Sequence, residues 1–334
     1  MYREKAGGRR LTENQAPSLK QKLIFVTGKG GVGRTTVASA LGLGFAEAGE
    51  NTLIVQWSFR DFISPQWNRD PCGHKHVEIQ KNLSVMNFDP SEAMKEYFVD
   101  HLNMKLLYNL VLQNKQVQKL LQSAPGLEEL FFVGRLFWLC ELAEEEANLK
   151  FDRIIVDAPA TGHGSALFGI ARTISAFEIT GPLVDEARRV SALLADSEKT
   201  AIVTVSLPEE LPVEETLEVL PRYKEEPGHL PVALVVNRSA NLPGLEIREP
   251  ASPDFLYPAV QSVDLKAELR ALQSDLRRRF EMEQRLVRES QVPLVSVPDF
   301  MIDNPALEPA LIIRQVCNSP SFHDLIRQTS EVRK

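Results

Sequence analysis

The chain is poor in cysteine: Cys72, Cys140 and Cys317 are the only three in 334 residues, and no two are close in sequence. That scarcity argues against a disulfide framework and fits a reducing compartment. No CxxC pair is present, so a zinc site built on that spacing is excluded. Excess positive charge is also lacking. A formal net charge of -7 and a pI near 5.6 give no general attraction to nucleic acid or anionic lipid. Long apolar runs are missing too. The strongest, LEELFFVGRLFWLCEL, contains Arg135 and is edged by glutamates, too short and too charged to span a bilayer. The polar opening MYREKAGGRRLTENQAPSLK lacks an apolar stretch, so no secretory leader is predicted. These absences predict a cytoplasmic protein with no integral membrane segment, no nucleic-acid partner, and at most a peripheral membrane role.

What is present is a globular balance, 43% apolar and 25% charged residues, enough to bury a sizeable core. Short apolar, β-branched runs recur at 23–26, 52–55, 83–86, 153–156, 201–205, 232–236 and 293–297, each followed by a helical pattern. Runs without polar alternation are strands buried on both faces. Their alternation with helices predicts a doubly wound, mostly parallel α/β sheet. A helix is expected to open at Gly33, with Val37, Leu41, Gly44, Phe45 and Ala48 on one face and Gly49 at its end.

Residues 1–20 read as a flexible tail, 21–320 as one domain and 321–334 as a C-terminal tail. Between about 91 and 150 the strand rhythm gives way to a helical insertion. A second long helix is expected at roughly 264–290, where Arg277, Arg278 and Arg279 form a solvated face. The proline-rich stretch 241–259 reads as a loop. No internal repeat or second phosphate loop appears.

The segment LIFVTGKGGVGRTTVASAL sets Gly28, Lys29, Gly30, Gly31, Val32, Gly33, Arg34, Thr35 and Thr36 between a strand and a helix. Glycines there allow positive φ, so successive N–H groups can wrap a phosphate chain while the helix directs its positive end at it. This spacing in this context predicts a P-loop that binds ATP, with Thr35 as a hydroxyl ligand for Mg²⁺. Asp157, closing the strand of RIIVDAPATGH, is the matching carboxylate for the metal. His163 reads either as a switch residue near the γ-phosphate or as a histidine bonded to its own loop. Arg34 stands where such loops carry lysine, and a broad planar guanidinium is not equivalent to a compact ammonium. Binding is therefore expected more firmly than hydrolysis.

The order of GKGGVGRTT, DAPATGH, GPLVDEA at 181–187, VSLPEELPVEET at 205–216 and VVNRS at 235–239 resembles the ArsA-type ATPases. That group includes the arsenite-pump ATPase and the targeting ATPase for tail-anchored proteins. The resemblance covers about 22–320 and implies ATP, Mg²⁺ and a face-to-face dimer, homomeric or with a paralogue. Its partner or cargo would be a transporter or a membrane protein. It implies that Lys29 reaches across the dimer, that Asn237 reads the adenine edge, and that Pro298 with Asp299 and Phe300 flanks the base. The relatives carry an Asp after the second strand that orients the attacking water; here Ser58 falls there, and Asp61, about one helical turn onward, is either a substitute or a solvated surface Asp. Lys29, Arg34 and Asp61 are thus the catalytic candidates.

The insertion offers Phe131, Phe132, Leu136, Phe137, Trp138 and Leu139, with Leu106, Leu107, Leu110 and Leu120, either as a cargo groove or as core. Cys72, His74 and His76 alternate in PCGHKHVE, either as one side of a soft-metal site or as a polar loop. A catalytically weak nucleotide-binding subunit and a MinD/ParA-like positioning ATPase are the alternative functions. The C-terminal SFHDLIRQTSEVRK is a poor membrane anchor, which speaks against the latter.

Overall fold

A computed structural model of the chain describes residues 18–96, 126–159, 167–169, 182–225, 228–240, 263–300 and 309–327. His163, the 241–259 loop, and Leu106, Leu107, Leu110 and Leu120 lie outside the described residues.

The expected strands are present. They are β1 (Leu23–Gly28), β2 (Thr52–Gln56), β4 (Leu83–Asn87), β5 (Arg153–Asp157), β6 (Thr200–Ser206), β7 (Ala233–Ser239) and β8 (Leu294–Pro298). An additional strand, β3 (Val77–Gln80), pairs antiparallel to β4 at the sheet edge. The eight strands run in the order β3-β4-β2-β5-β1-β6-β7-β8, and every pairing apart from that of β3 is parallel. Order reverses around β1, so the loop after β1 lies at a topological switch point, where open α/β sheets bind ligands.

Both faces of the sheet are covered, which explains the unbroken apolar runs. Leu23 and Phe25 of β1 face one core, and Ile24 and Val26 the other. The second core is filled by α1 (Arg34–Glu47), buried without interruption from Val37 to Ala46. Helices α2 (Pro90–Glu96), α3 (Leu127–Phe137) and α4 (Pro182–Ala195) follow in sequence, α3 continuing through a π turn at Trp138–Leu142 into Ala143–Ala147. Helix α5 (Glu210–Glu225) crosses from β6 to β7, and the long α6 (Val263–Glu289) leads into β8. Arg277, Arg278 and Arg279 on α6 pair with Glu281, Asp275 and Asp299.

Phe131, Phe132, Leu136 and Leu139 belong to the first core, with Phe132 against Trp57 and Phe88. These four side chains are therefore packing, not the lining of an open groove; Phe137 and Trp138 are partly buried against the same core. No helix among the described residues is long and apolar enough to cross a membrane.

Described residues in both stretches expected as tails are built into the fold. Leu19 is buried and donates its N–H to Leu325 O at 3.3 Å. After α7 (Pro309–Cys317), residues Pro320–Arg327 form helix α8 instead of a tail. Phe322, Leu325 and Ile326, at helical spacing, drop into the core beside α1 and Cys317. Phe322→Ala should therefore lower stability by about 3–5 kcal/mol, read as a shift in the denaturant midpoint. A true tail would show no shift.

Candidate functional site

Gly28 ends β1 and Arg34 begins α1, so the loop between them sits at the carboxyl edge of the sheet. Gly31 and Gly33 have φ of 86° and 94°, a region that side chains rarely tolerate. A Cβ at Gly28 would collide with the Val205 carbonyl, and one at Gly33 with the Asn237 amide. Val32, between them, is buried and anchors the loop in the core. Glycine at 28 and 33 is thus required by close approach as well as by backbone conformation.

Thr35, in the first turn of α1, donates its hydroxyl to Asp157 Oδ2 at 2.7 Å. The carboxyl of Asp157 is pushed above its ordinary range by burial, against the opposing hydrogen bond of Thr35 and charge of Arg34. A hydroxyl and a buried carboxylate side by side are hard oxygen donors of the kind magnesium takes. A cation there would relieve the cost of keeping Asp157 charged, so these residues fit the metal.

Arg34 is held by backbone outside the glycine loop. Its guanidinium donates to the carbonyl of Ala158, immediately after Asp157. Burial lowers its pKa, opposed by Asp157 and by Tyr223. Lys29, by contrast, pairs with Glu215 of α5 at 2.6 Å. Sequence reading gave neither Glu215 nor Tyr223 a role. Tyr223 is fully buried, with its hydroxyl 2.9 Å from Thr27 Oγ1 beneath the loop. The signal available was a tyrosine on the apolar face of α5, since a buried phenol needs a polar partner.

Asn237 lies where the β7–β8 register is interrupted. Its Nδ2 donates to Val32 O at 2.9 Å, and its Oδ1 accepts from Arg238 N at 3.0 Å. Both ends of the amide therefore brace backbone, one of them the phosphate loop itself. Pro298 is buried at the end of the neighbouring strand, in register with Ser239. Asn237 and Pro298 thus share one end of the sheet.

Asp61 does not stand in for the missing water-orienting group. It is buried, and its two oxygens accept from the backbone N–H of Ile63 at 2.8 Å, Ser64 at 3.1 Å and Cys72 at 2.8 Å, and from the Gln56 amide. Burial pushes its pKa up, but these bonds outweigh it and leave the pKa below the ordinary value. Asp61 is a fastener for the 61–72 loop. Its stabilisation is present above the unfolded pKa and is lost as pH falls through the depressed folded value. Asp61→Asn should cost about 1–3 kcal/mol at neutral pH, with the deficit shrinking in denaturation curves recorded in acid. An equal deficit at both pH values would contradict this role. Ser58 Oγ donates to Arg60 O at 2.5 Å, and Asn87 pins the Ser58 backbone from both sides.

The Cys72, His74 and His76 trio is not a metal site, nor is it a loose loop. Burial and Asp61 push the Cys72 thiol up to about 12, so it is not a thiolate. His74 is buried, contacting Glu96 Oε2 at 3.2 Å and accepting from Asp89 N at 3.2 Å. Among the described residues no group of three potential ligands clusters.

Residues 21–180 match the family described as anion-transporting ATPase. Among similar proteins, ATPase BagA of Mycobacterium tuberculosis is 29% identical over 230 residues, 65% of each chain. ATPase ASNA1 homolog 1 of Paramecium tetraurelia is 34% identical over 154 residues, 42% of this chain and 41% of the relative. Putative arsenical pump-driving ATPase 2 of Aquifex aeolicus is 26% identical over 250 residues, 65% of this chain and 80% of the relative. The alignment thus spans just under two thirds of the mycobacterial protein's length. The family match takes in the glycine loop, Thr35 and Asp157.

Proposed function

We propose that the chain is an ArsA-type P-loop ATPase, a reading supported by the family match over residues 21–180, and that it binds ATP with Mg²⁺ on the 28–36 loop. The same proposal includes a nucleotide-dependent dimer whose cycle drives a partner, either an anion or metalloid transporter or a membrane-protein cargo. The observation that carries the nucleotide reading is the Thr35–Asp157 pair, 2.7 Å apart beside a loop of positive-φ glycines. The loop amides and the N-terminus of α1 would cradle the phosphates. Thr35 and Asp157 would hold the metal, which neutralises charge on the phosphoryl group in transfer. Lys29 would supply a further positive charge to a triphosphate, across the dimer by the family likeness. Asn237 and Pro298 remain our candidates for the adenine side, Asn237 acting at least through its hold on Val32.

Asp157→Asn tests the metal assignment. A buried carboxyl with a raised pKa destabilises the fold as pH rises above the unfolded value. The amide should therefore raise the thermal midpoint of the nucleotide-free protein at neutral pH, while removing the Mg²⁺ dependence of ATP binding. Intact Mg²⁺ dependence would overturn the assignment. Sedimentation with and without ATP tests the dimer: a shift to twice the mass supports it, and an unchanged mass removes it.

A second reading, a nucleotide-binding subunit with little turnover, is favoured by two observations. Arg34 is engaged by Ala158, and Ser58 replaces a water-orienting carboxylate. Steady-state phosphate release compared with ATP affinity separates the two.

A further inference from the structure

The ion pair between Lys29 and Glu215 joins the phosphate loop to α5, the helix that also places Tyr223 beneath that loop. At 2.6 Å it is a direct, charge-assisted contact, and both side chains are about one-third exposed. Helix α5 is fastened to the sheet on the C-terminal side of Glu215. Thr216, the next residue, donates to Pro212 O at 2.7 Å and lies 3.1 Å from Ser206 Oγ. Two turns on, Tyr223 reaches Thr27, two residues before Lys29. On the outward side, Glu214 pairs with Arg285 of α6 at 3.2 Å. The carboxylate that meets Lys29 is therefore presented from a rigid element, next to a link that continues into α6.

A lysine so held has its charge neutralised on its own chain. A triphosphate entering the loop brings competing oxygens, and the ammonium cannot satisfy both anions in one position. We propose that Glu215 is a latch: it keeps Lys29 on its own chain in the nucleotide-free state, and triphosphate binding breaks the pair, releasing the lysine and unloading α5. The proposal rests on the P-loop reading above and adds regulation to it. Glu215 acts through Lys29, so it is a positioning residue.

The test measures ATP affinity by calorimetry for the unmodified chain, Glu215→Gln, Lys29→Gln and the double variant. A partly exposed pair of this kind is worth about 0.2–1 kcal/mol, which converts to roughly 1.4- to fivefold in affinity. Glu215→Gln should tighten ATP binding by that factor and steepen its fall with added salt, since no ion pair then offsets the screened attraction. In the Lys29→Gln background the same change should have no effect, because there is no ammonium to release. Glu215→Asp, a methylene shorter, should fall between Glu215 and Gln. Weaker ATP binding in Glu215→Gln would overturn the latch, as would an equal effect with and without Lys29, the latter placing Glu215 in helix packing alone. Absence of ATP binding in the unmodified chain would instead sink the nucleotide reading itself. Loss of dimerisation with ATP binding intact would leave the latch measurable on each chain.

Discussion

Arg34→Lys combined with Ser58→Asp should raise single-turnover phosphate release by about 10²-fold or more, on the scale of one well-placed transition-state donor. Both positions depart, for separate reasons, from the residues that the family resemblance implies for hydrolysis. The guanidinium of Arg34 donates to the Ala158 carbonyl, where it braces the segment after Asp157. A lysine is a compact charge on a flexible stem and has no planar fork to satisfy at that carbonyl. Ser58 lies in a turn whose backbone is fixed by Asn87, with its hydroxyl committed to Arg60 O. An aspartate placed on that fixed backbone gains a carboxylate able to orient water, which a serine hydroxyl without a partner does poorly. ATP affinity should change little, since the loop amides and the α1 terminus are untouched. Unchanged phosphate release in the double variant would show that the chain is a binding subunit whose turnover is limited elsewhere.

The second large effect concerns binding. Gly33→Ala should weaken ATP affinity by about 10²-fold, as about 1–2 kcal/mol of left-handed strain adds to a displaced hydrogen bond of about 1 kcal/mol at 1.4 kcal/mol per decade. The methyl group would meet the Asn237 amide, which braces Val32 O in the same loop. Gly49→Ala is the matched control. Its φ is 90°, and nothing lies within 4 Å of the added carbon. The control should lose a similar amount of stability and no ATP affinity. Equal losses of affinity in both variants would mean that the effect is global destabilisation.

The sheet was legible because its central strands are buried on both faces, so each appears as an apolar run. β3 was missed for the opposite reason: VEIQ lies at the edge, and Val77 is 43% exposed. The loop was legible from glycine spacing, since backbone geometry there is dictated locally. The partners of its charged residues were not. Lys29 meets Glu215 from 186 residues away, and Arg34 meets Ala158 from 124, and no local periodicity encodes such meetings. Asp61 was misread because its hydrogen-bond donors, Gln56 to Cys72, lie in an irregular stretch without a repeat. The terminal helix α8 was read as tail because only Phe322, Leu325 and Ile326 mark its buried face. The contacts that hold them, to α1 and Cys317, exist only once the sheet has formed.

Isothermal calorimetry of the full chain with ATP and magnesium addresses the central claim most directly. Saturable heat at one nucleotide per chain, reduced in Gly33→Ala and preserved in Gly49→Ala, is the predicted result. No heat with either ATP or ADP in the presence of magnesium would contradict a phosphate cradle at residues 28–36.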